Sequence, residues 1–336
     1  MLFRSLLAGL CSRKLDWLQV AVTSHCNASC AYCPHTIYRR QWQSRHLSLP
    51  AFQRLLPDLE KVRLVYLQGW GEPFLHPDFF TLVSLAKQAG CQVGTTTNAT
   101  QLTEETISRI VESGIDLLAF SLAGIGPVND TWRQGTSYQK VLGAMRSLQA
   151  CKRQLGKVAP RVHIAYMLLR SGLADLDTLP GELQGLGISQ VVISTLDLVA
   201  APELEKESLT RVSQSEGSEI SHRLKSLAEM GARKNLNIYY PDLSAPHPKK
   251  DCPENVLRAA VISPAGDVSP CVYTNLSASA GDYYVKGRPH QIRPLFFGNL
   301  EELSLREIWQ QASYRNFRRS WQEGNLFDPC RNCLKI

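Results

Sequence analysis

Seven of the ten cysteines in this chain fall into two sets. The first set lies in Thr23-Ser-His-Cys26-Asn-Ala-Ser-Cys30-Ala-Tyr-Cys33-Pro34. A Cys-x3-Cys-x2-Cys spacing lets each thiolate hold one iron of a cubane cluster, leaving the remaining iron open to a small chelating ligand. A zinc ion would want a fourth protein ligand, which His25 or His35 could supply. In the second set, the Gly266-x4-Cys271 spacing puts a thiol just past a turn. Cys252 precedes it, and Cys330 and Cys333 bracket Arg331-Asn332 near the end of the chain. Two such pairs can close around one centre, and spacing alone suits a zinc ribbon nearly as well as iron–sulfur. Cys11, Cys91 and Cys151 stand alone and read as small buried apolar residues.

The elements that must position these thiols alternate. Apolar runs Leu18 to Val22, Val62 to Leu67, Val93 to Thr97, Leu117 to Leu122, Val162 to Leu168 and Val191 to Leu196 read as buried strands. Between them, Phe79 to Gln88, Glu104 to Glu112 and Tyr138 to Lys152 read as helices. Ser48-Leu49-Pro50 and Leu102-Thr103 mark helix starts, and Gly90 and Gly114 mark stops. Strand, helix and strand repeated in this way imply parallel strands with right-handed crossovers. Six units are too few for a closed eight-unit barrel, so the expected α/β fold is a partial (β/α)6 TIM-like barrel. A further helix over Glu216 to Lys234 and a short strand near Leu236 to Tyr240 complete it. Pro241, Pro246, Pro248 and Pro253 then mark a junction. Beyond it, Ala260 to Ile262 and Val268 to Tyr273 read as a β-hairpin, residues 276 to 297 as a long loop, and Leu305 to Trp321 as one helix. The expected domains are an extension over 1–14, the barrel over 15–240, and a small cysteine-rich α+β domain over 241–336.

The first cysteine set follows the first strand directly, and strand ends of parallel α/β folds are where ligands bind. Cys26, Cys30 and Cys33, with Tyr32 before the last, resemble the signature of the radical S-adenosylmethionine (SAM) superfamily. The resemblance implies a [4Fe–4S] cluster whose open iron binds the amino and carboxylate groups of SAM. Reductive cleavage then gives a 5′-deoxyadenosyl radical that abstracts a substrate hydrogen. Gly69-Trp70-Gly71-Glu72-Pro73 resembles the family's GGEP motif, with Trp70 replacing a glycine. Thr97-Asn98-Ala99 resembles Thr-Asn-Gly. By the same resemblance Ser121 and Arg133 would bind the methionine carboxylate, and Leu196 would touch adenine. A surface salt bridge for Arg133 and a core position for Leu196 are the plain alternatives. Gly124-Ile-Gly126 lacks the third glycine of a dinucleotide-binding turn.

Cys252, Gly266-x4-Cys271, Gly298-Asn299-Leu300, Ile308-Trp309 and Phe317-Arg318 resemble the SPASM and twitch auxiliary domains of that superfamily. Cys252, Cys271, Cys330 and Cys333 match the shorter twitch form, which implies one fully ligated auxiliary [4Fe–4S] cluster in electron transfer. The implied activity is oxidation or modification of a peptide or small-molecule substrate. Related proteins suggested to mature tungsten-type (or molybdenum-type) cofactor oxidoreductases give an alternative, and a zinc-stabilised binding protein is the rival from another class. Asp197, just after the sixth strand, is the candidate catalytic proton acceptor, with Tyr240 and Asp242 behind it.

Apolar residues make up 44% and charged residues 20% of the chain, which fits a globular protein with a sizeable core. The net charge of +7 is scattered. Arg39-Arg40, Lys249-Lys250 and Arg318-Arg319 are too short for a nucleic-acid tail, but could attract an acidic electron donor such as flavodoxin or ferredoxin. No run is long enough to span a membrane. The opening Met1-to-Cys11 stretch has too short an apolar run, and a bulky Leu10, for a lipoprotein signal. A cytoplasmic location is expected.

Overall fold

A computed structural model describes residues 15–244, 252–331 and 333–335. The expected N-terminal extension with Cys11, and Pro246, Pro248 and Lys249-Lys250, lie outside the described residues.

The six expected strands form as β1 (Leu15–Val20), β2 (Val62–Leu67), β3 (Gln92–Thr97), β4 (Leu117–Leu122), β5 (Arg161–Leu168) and β6 (Ile188–Thr195). They pair parallel in that order, and β7 (Asn237–Tyr239) adds a seventh parallel strand beside β6. The fold is therefore a partial TIM-like barrel, open between its two end strands. Helices α1 (Phe79–Gln88), α2 (Glu104–Glu112), α3 (Tyr138–Gln154) and α4 (Gln214–Ala232) fill the crossovers. Their starts are capped as the side chains require: Thr103 Oγ1 accepts from the Thr106 N–H, and Ser213 Oγ accepts from the Glu216 N–H. Gly90 and Gly114 close α1 and α2 at φ +81° and +80°, a conformation that favours glycine.

The C-terminal hairpin forms as β8 (Ala259–Ile262) and β9 (Val268–Ser269). β8 pairs parallel with β1, Trp17 to Ala259 through Val20 to Ile262, so one nine-stranded sheet runs β9-β8-β1-β2-β3-β4-β5-β6-β7. Strand β1 is thus flanked on both sides where it delivers the chain to Cys26.

Two local expectations need correction. Residues 276–297 are not a plain loop: they contain a hairpin of β10 (Asp282–Val285) and β11 (Arg288–Gln291). The long C-terminal helix is two, α5 (Leu305–Gln310) and α6 (Ala312–Glu323), broken at Gln311, whose ψ of 147° is extended. The break lets Tyr314 turn back edge-on to Trp309, with the Arg318 guanidinium 3.9 Å above the Trp309 ring. Among the described residues no helix is long and apolar enough to cross a membrane.

Candidate active site

The first cysteine set sits on the loop leaving β1. Cys30 is buried, and Cys26 and Cys33 are half-buried. Cys33 opens a one-turn helix, Pro34–Ile37, and its own N–H donates to the Cys30 carbonyl at 3.0 Å. A two-residue antiparallel ribbon pairs Ser29 with Gln134 and Cys30 with Arg133, carrying the Arg133 guanidinium to the thiols. Its Nη1 donates to the Tyr32 hydroxyl at 2.8 Å. Its Nε is buried and has no partner. Burial opposes the guanidinium charge, but Tyr32 and Cys30 more than offset it and push the pKa up. A buried cation with an unmatched N–H is what a carboxylate ligand would complete.

The motif after β2 lies against the same loop. A Cβ on Gly71 would fall 2.4 Å from the Thr23 carbonyl oxygen, and one on Gly69 2.4 Å from Ala21 Cβ, so no other residue fits at either place. Glu72 is buried and ties the motif to the end of β3. It accepts from the Asn98 N–H at 2.7 Å and from the Thr97 hydroxyl at 2.8 Å. Burial outweighs these bonds and raises its pKa to about 7. Asn98 Nδ2 donates to Asn27 Oδ1 at 3.0 Å and lies 3.9 Å from Cys26 Sγ. Ala99 takes φ +67°, which explains the glycine of the related pattern. Pro73 opens a short 3-10 turn, Pro73–Leu75. Ser121 is half-buried on β4, opposite Ala165. Leu196 is buried in one cluster with Cys30, Tyr32 and Ala28, a core position beside the first cysteine set. The Trp70 indole turns to the C-terminal segment, donating to the carbonyls of Val272 and Asn275 at 3.3 and 3.2 Å.

The second set also gathers. Cys252, Cys271 and Cys330 each lie near enough to Cys333 that ionising it would oppose ionisation of the others. Burial pushes the thiols up, to about 11 for Cys252 and about 12 for Cys330, as it does for Cys26 (about 11) and Cys33 (about 12). Such thiols ionise when a metal cation supplies the missing charge. The described residues include no group of three His, Cys, Asp or Glu side chains gathered for a single ion. The fit to clusters rests on donors aimed at sulfur. The N–H two residues on donates to Cys271 from Tyr273 and to Cys333 from Lys335, both at 3.4 Å. Ala28, His35 and Glu254 do the same for Cys26, Cys33 and Cys252. Five amides directed at sulfur suit thiolates whose cluster is tuned by hydrogen bonds. The histidines considered as a fourth zinc ligand make ring contacts, His25 stacking on His46 and His35 meeting Trp42 edge-on.

Asp197 lies between the two sets. Its side chain is only 7% exposed, accepts from the Thr195 hydroxyl at 2.7 Å, and faces Lys335 Nζ at 3.6 Å. Lys335 also pairs with Glu254 and stands over the Tyr273 ring. Burial raises the Asp197 pKa, and Lys335 and Thr195 offset part of the rise. Spacing gave no signal for the Lys335 partner, since the residues are far apart in sequence. Asp197 and Leu334 line both a cavity of about 900 Å3, shared with Tyr240 and Asp242, and one of about 270 Å3, shared with Tyr283, His290 and Cys333. Asp242 accepts from Ser221 and from the Ser244 N–H, a turn-forming arrangement.

The β10–β11 hairpin roofs this region. The Tyr284 N–H donates to the Val199 carbonyl at 2.8 Å, and Tyr38 donates to the Asp282 carbonyl at 2.6 Å. The Tyr284 ring packs in the cluster that holds Cys26, Cys30, Cys33 and Leu196, whereas its neighbour Tyr283 lines the smaller cavity. This follows from the alternation of side chains along a strand.

Comparison with known proteins gives two matched regions. The radical SAM superfamily pattern matches residues 20–160, and SPASM, an iron-sulfur cluster-binding domain, matches residues 252–334. The chain is 26% identical over 325 residues to the tungsten-containing aldehyde ferredoxin oxidoreductase cofactor-modifying protein of Pyrococcus furiosus, covering 95% of this chain and 87% of that one. It is 21% identical over 326 residues to PqqA peptide cyclase of Gluconobacter oxydans, covering 94% and 82%. Streptococcus suis SuiB bound to S-adenosylmethionine shares the fold, with a TM-score of 0.66 at 15% identity over 99% of this chain and 75% of that one.

Proposed function

This chain belongs to the radical SAM superfamily and carries a SPASM iron–sulfur domain, and from that premise we propose that it is a maturase oxidising a peptide or small-molecule precursor. Its cofactors, a [4Fe–4S] cluster with SAM and an auxiliary cluster, supply a hydrogen-abstracting 5′-deoxyadenosyl radical and an electron acceptor. Cys26, Cys30 and Cys33 hold the first cluster. Cys252, Cys271, Cys330 and Cys333 hold the auxiliary one. Arg133 and Ser121 bind the methionine carboxylate, with Tyr32 orienting the guanidinium. The backbone of Trp70, Gly71, Glu72 and Pro73 receives the amino group, Asn98 braces that cradle, and Leu196 packs against adenine. The observation that carries this reading is the buried, unpartnered Nε of Arg133 beside Cys30.

After a hydrogen atom leaves the substrate, a net two-electron oxidation still has to release one proton and one electron. A cluster held by Cys252, Cys271, Cys330 and Cys333 would accept that electron. Asp197, reached from both cavities and holding its proton more readily than an exposed carboxyl, takes the proton. The exposed Arg39, Arg40 and Arg45 on the loop after the Cys33 helix suit docking of an acidic flavodoxin or ferredoxin.

A second reading, maturation of a tungsten- or molybdenum-type cofactor, is favoured by the relative from Pyrococcus furiosus, which aligns over 95% of this chain. The two are separated by offering the reconstituted enzyme deuterated candidate peptides and cofactor precursors, then reading deuterium in 5′-deoxyadenosine by mass spectrometry. Label from neither class would contradict both readings.

A further inference from the structure

We infer that Trp70 is a positioning residue that keeps the SAM cradle and the auxiliary cysteine loop in register, so that occupancy of one site is felt at the other. This rests on the assignment of the two cysteine sets proposed above.

Gly69 and Gly71 press the tripeptide flat on the exit of β1. A Cβ on Gly71 would stand 2.4 Å from the Thr23 carbonyl oxygen and 2.5 Å from that of His25, the residue before Cys26. The Glu72 N–H donates to the same His25 carbonyl at 2.9 Å. The tripeptide therefore cannot move without moving the first cysteine loop.

The indole is the one side chain between these glycines, and it reaches the other site. Its single N–H is shared between the carbonyls of Val272 and Asn275. Those residues begin and cap the 3-10 turn Val272–Thr274, whose N-cap is Cys271. Within that turn the Tyr273 N–H donates to Cys271 Sγ, and the Tyr273 ring centre lies 6.2 Å from that of Trp70. Tyr38, Leu198, Ala200 and Leu276 enclose the contact. One donor with two carbonyl acceptors ties the Cys271 turn to the cradle, and a glycine at position 70 would leave both carbonyls without it. Coupling through such a contact is reciprocal: whatever SAM does to the auxiliary centre, the state of that centre does to SAM binding.

The test compares anaerobically reconstituted wild type, Trp70→Phe and Trp70→Gly. Phenylalanine keeps a packed ring and removes only the N–H. Iron content and electron paramagnetic resonance report both clusters, and redox titration with and without SAM gives the auxiliary midpoint potential. In the wild type, SAM shifts that potential. In Trp70→Phe both clusters remain, most of the shift is lost, and SAM binds about five-fold more weakly. The inference is overturned if the wild type shows no shift, or if the shift survives intact in Trp70→Phe. A wild type with only one cluster overturns the assignment of the second cysteine set, and this inference with it.

Discussion

Cys30 and Arg133 face each other as a residue pair across a two-residue ribbon, although 103 positions separate them in the chain. The pairing delivers a charged side chain to the thiols from an element that the barrel does not otherwise need. Replacing Arg133 by methionine should keep the cluster and weaken SAM binding about 10- to 100-fold, the usual worth of hydrogen bonds to a charged group. Anaerobic calorimetry against iron content checks this. Unchanged affinity would remove Arg133 from the site.

Glu72 gives a pH signature. Its pKa is about 7 in the fold against 4.5 for the free side chain. Below pH 4.5 the group is protonated in both states and costs nothing. Between pH 4.5 and 7 only the unfolded chain ionises, so stability falls as pH rises, by about 3 kcal/mol in total. Urea melts of the cluster-free protein should show that loss, and Glu72→Gln should flatten it. An equal slope in both proteins would contradict the burial argument.

Two glycines should respond in opposite directions. Gly71→Ala puts a methyl group against fixed backbone oxygens and should cost about 2–4 kcal/mol or abolish folding. Gly143, inside α3, has nothing within 4 Å of the added carbon, so Gly143→Ala should add about 0.5–1 kcal/mol. Thermal melts of both variants read the contrast.

The β10–β11 hairpin should select the substrate. Tyr284 packs beside the first cysteine set while Tyr283 and His290 line the neighbouring cavity. Tyr284→Ala should lower substrate turnover at least about ten-fold, the scale of a lost aromatic contact. Formation of 5′-deoxyadenosine without substrate should persist. If both activities fall together, the hairpin supports the cofactor site instead.

Much of the fold was legible in the sequence because it is written in local terms. Thr103 and Ser48 cap helices through their own oxygens, Gly90 and Gly114 end them by adopting positive φ, and the apolar runs are strands with one face fully buried. The first cysteine set was legible as a candidate because its three thiols share one loop. What escaped depends on contacts between distant segments. The pairing of β8 with β1 is decided by tertiary packing, as are the reach of Trp70 to Val272 and the partnership of Asp197 with Lys335. The break at Gln311 was invisible because the apolar pattern continues through it. The hairpin over 282–291 was missed because its strands are only four residues long and the second, Arg288–Gln291, carries no β-favouring residue to pair with Tyr283, Tyr284 and Val285.

Chromatographic quantification of 5′-deoxyadenosine after anaerobic incubation with SAM and dithionite tests the central claim most directly. Iron-reconstituted wild type should produce it, and a protein with Cys26, Cys30 and Cys33 all changed to alanine should produce none while keeping the auxiliary cluster signal. Equal yields from the two proteins, or none from fully loaded wild type, would contradict the assignment of radical chemistry to this thiol trio.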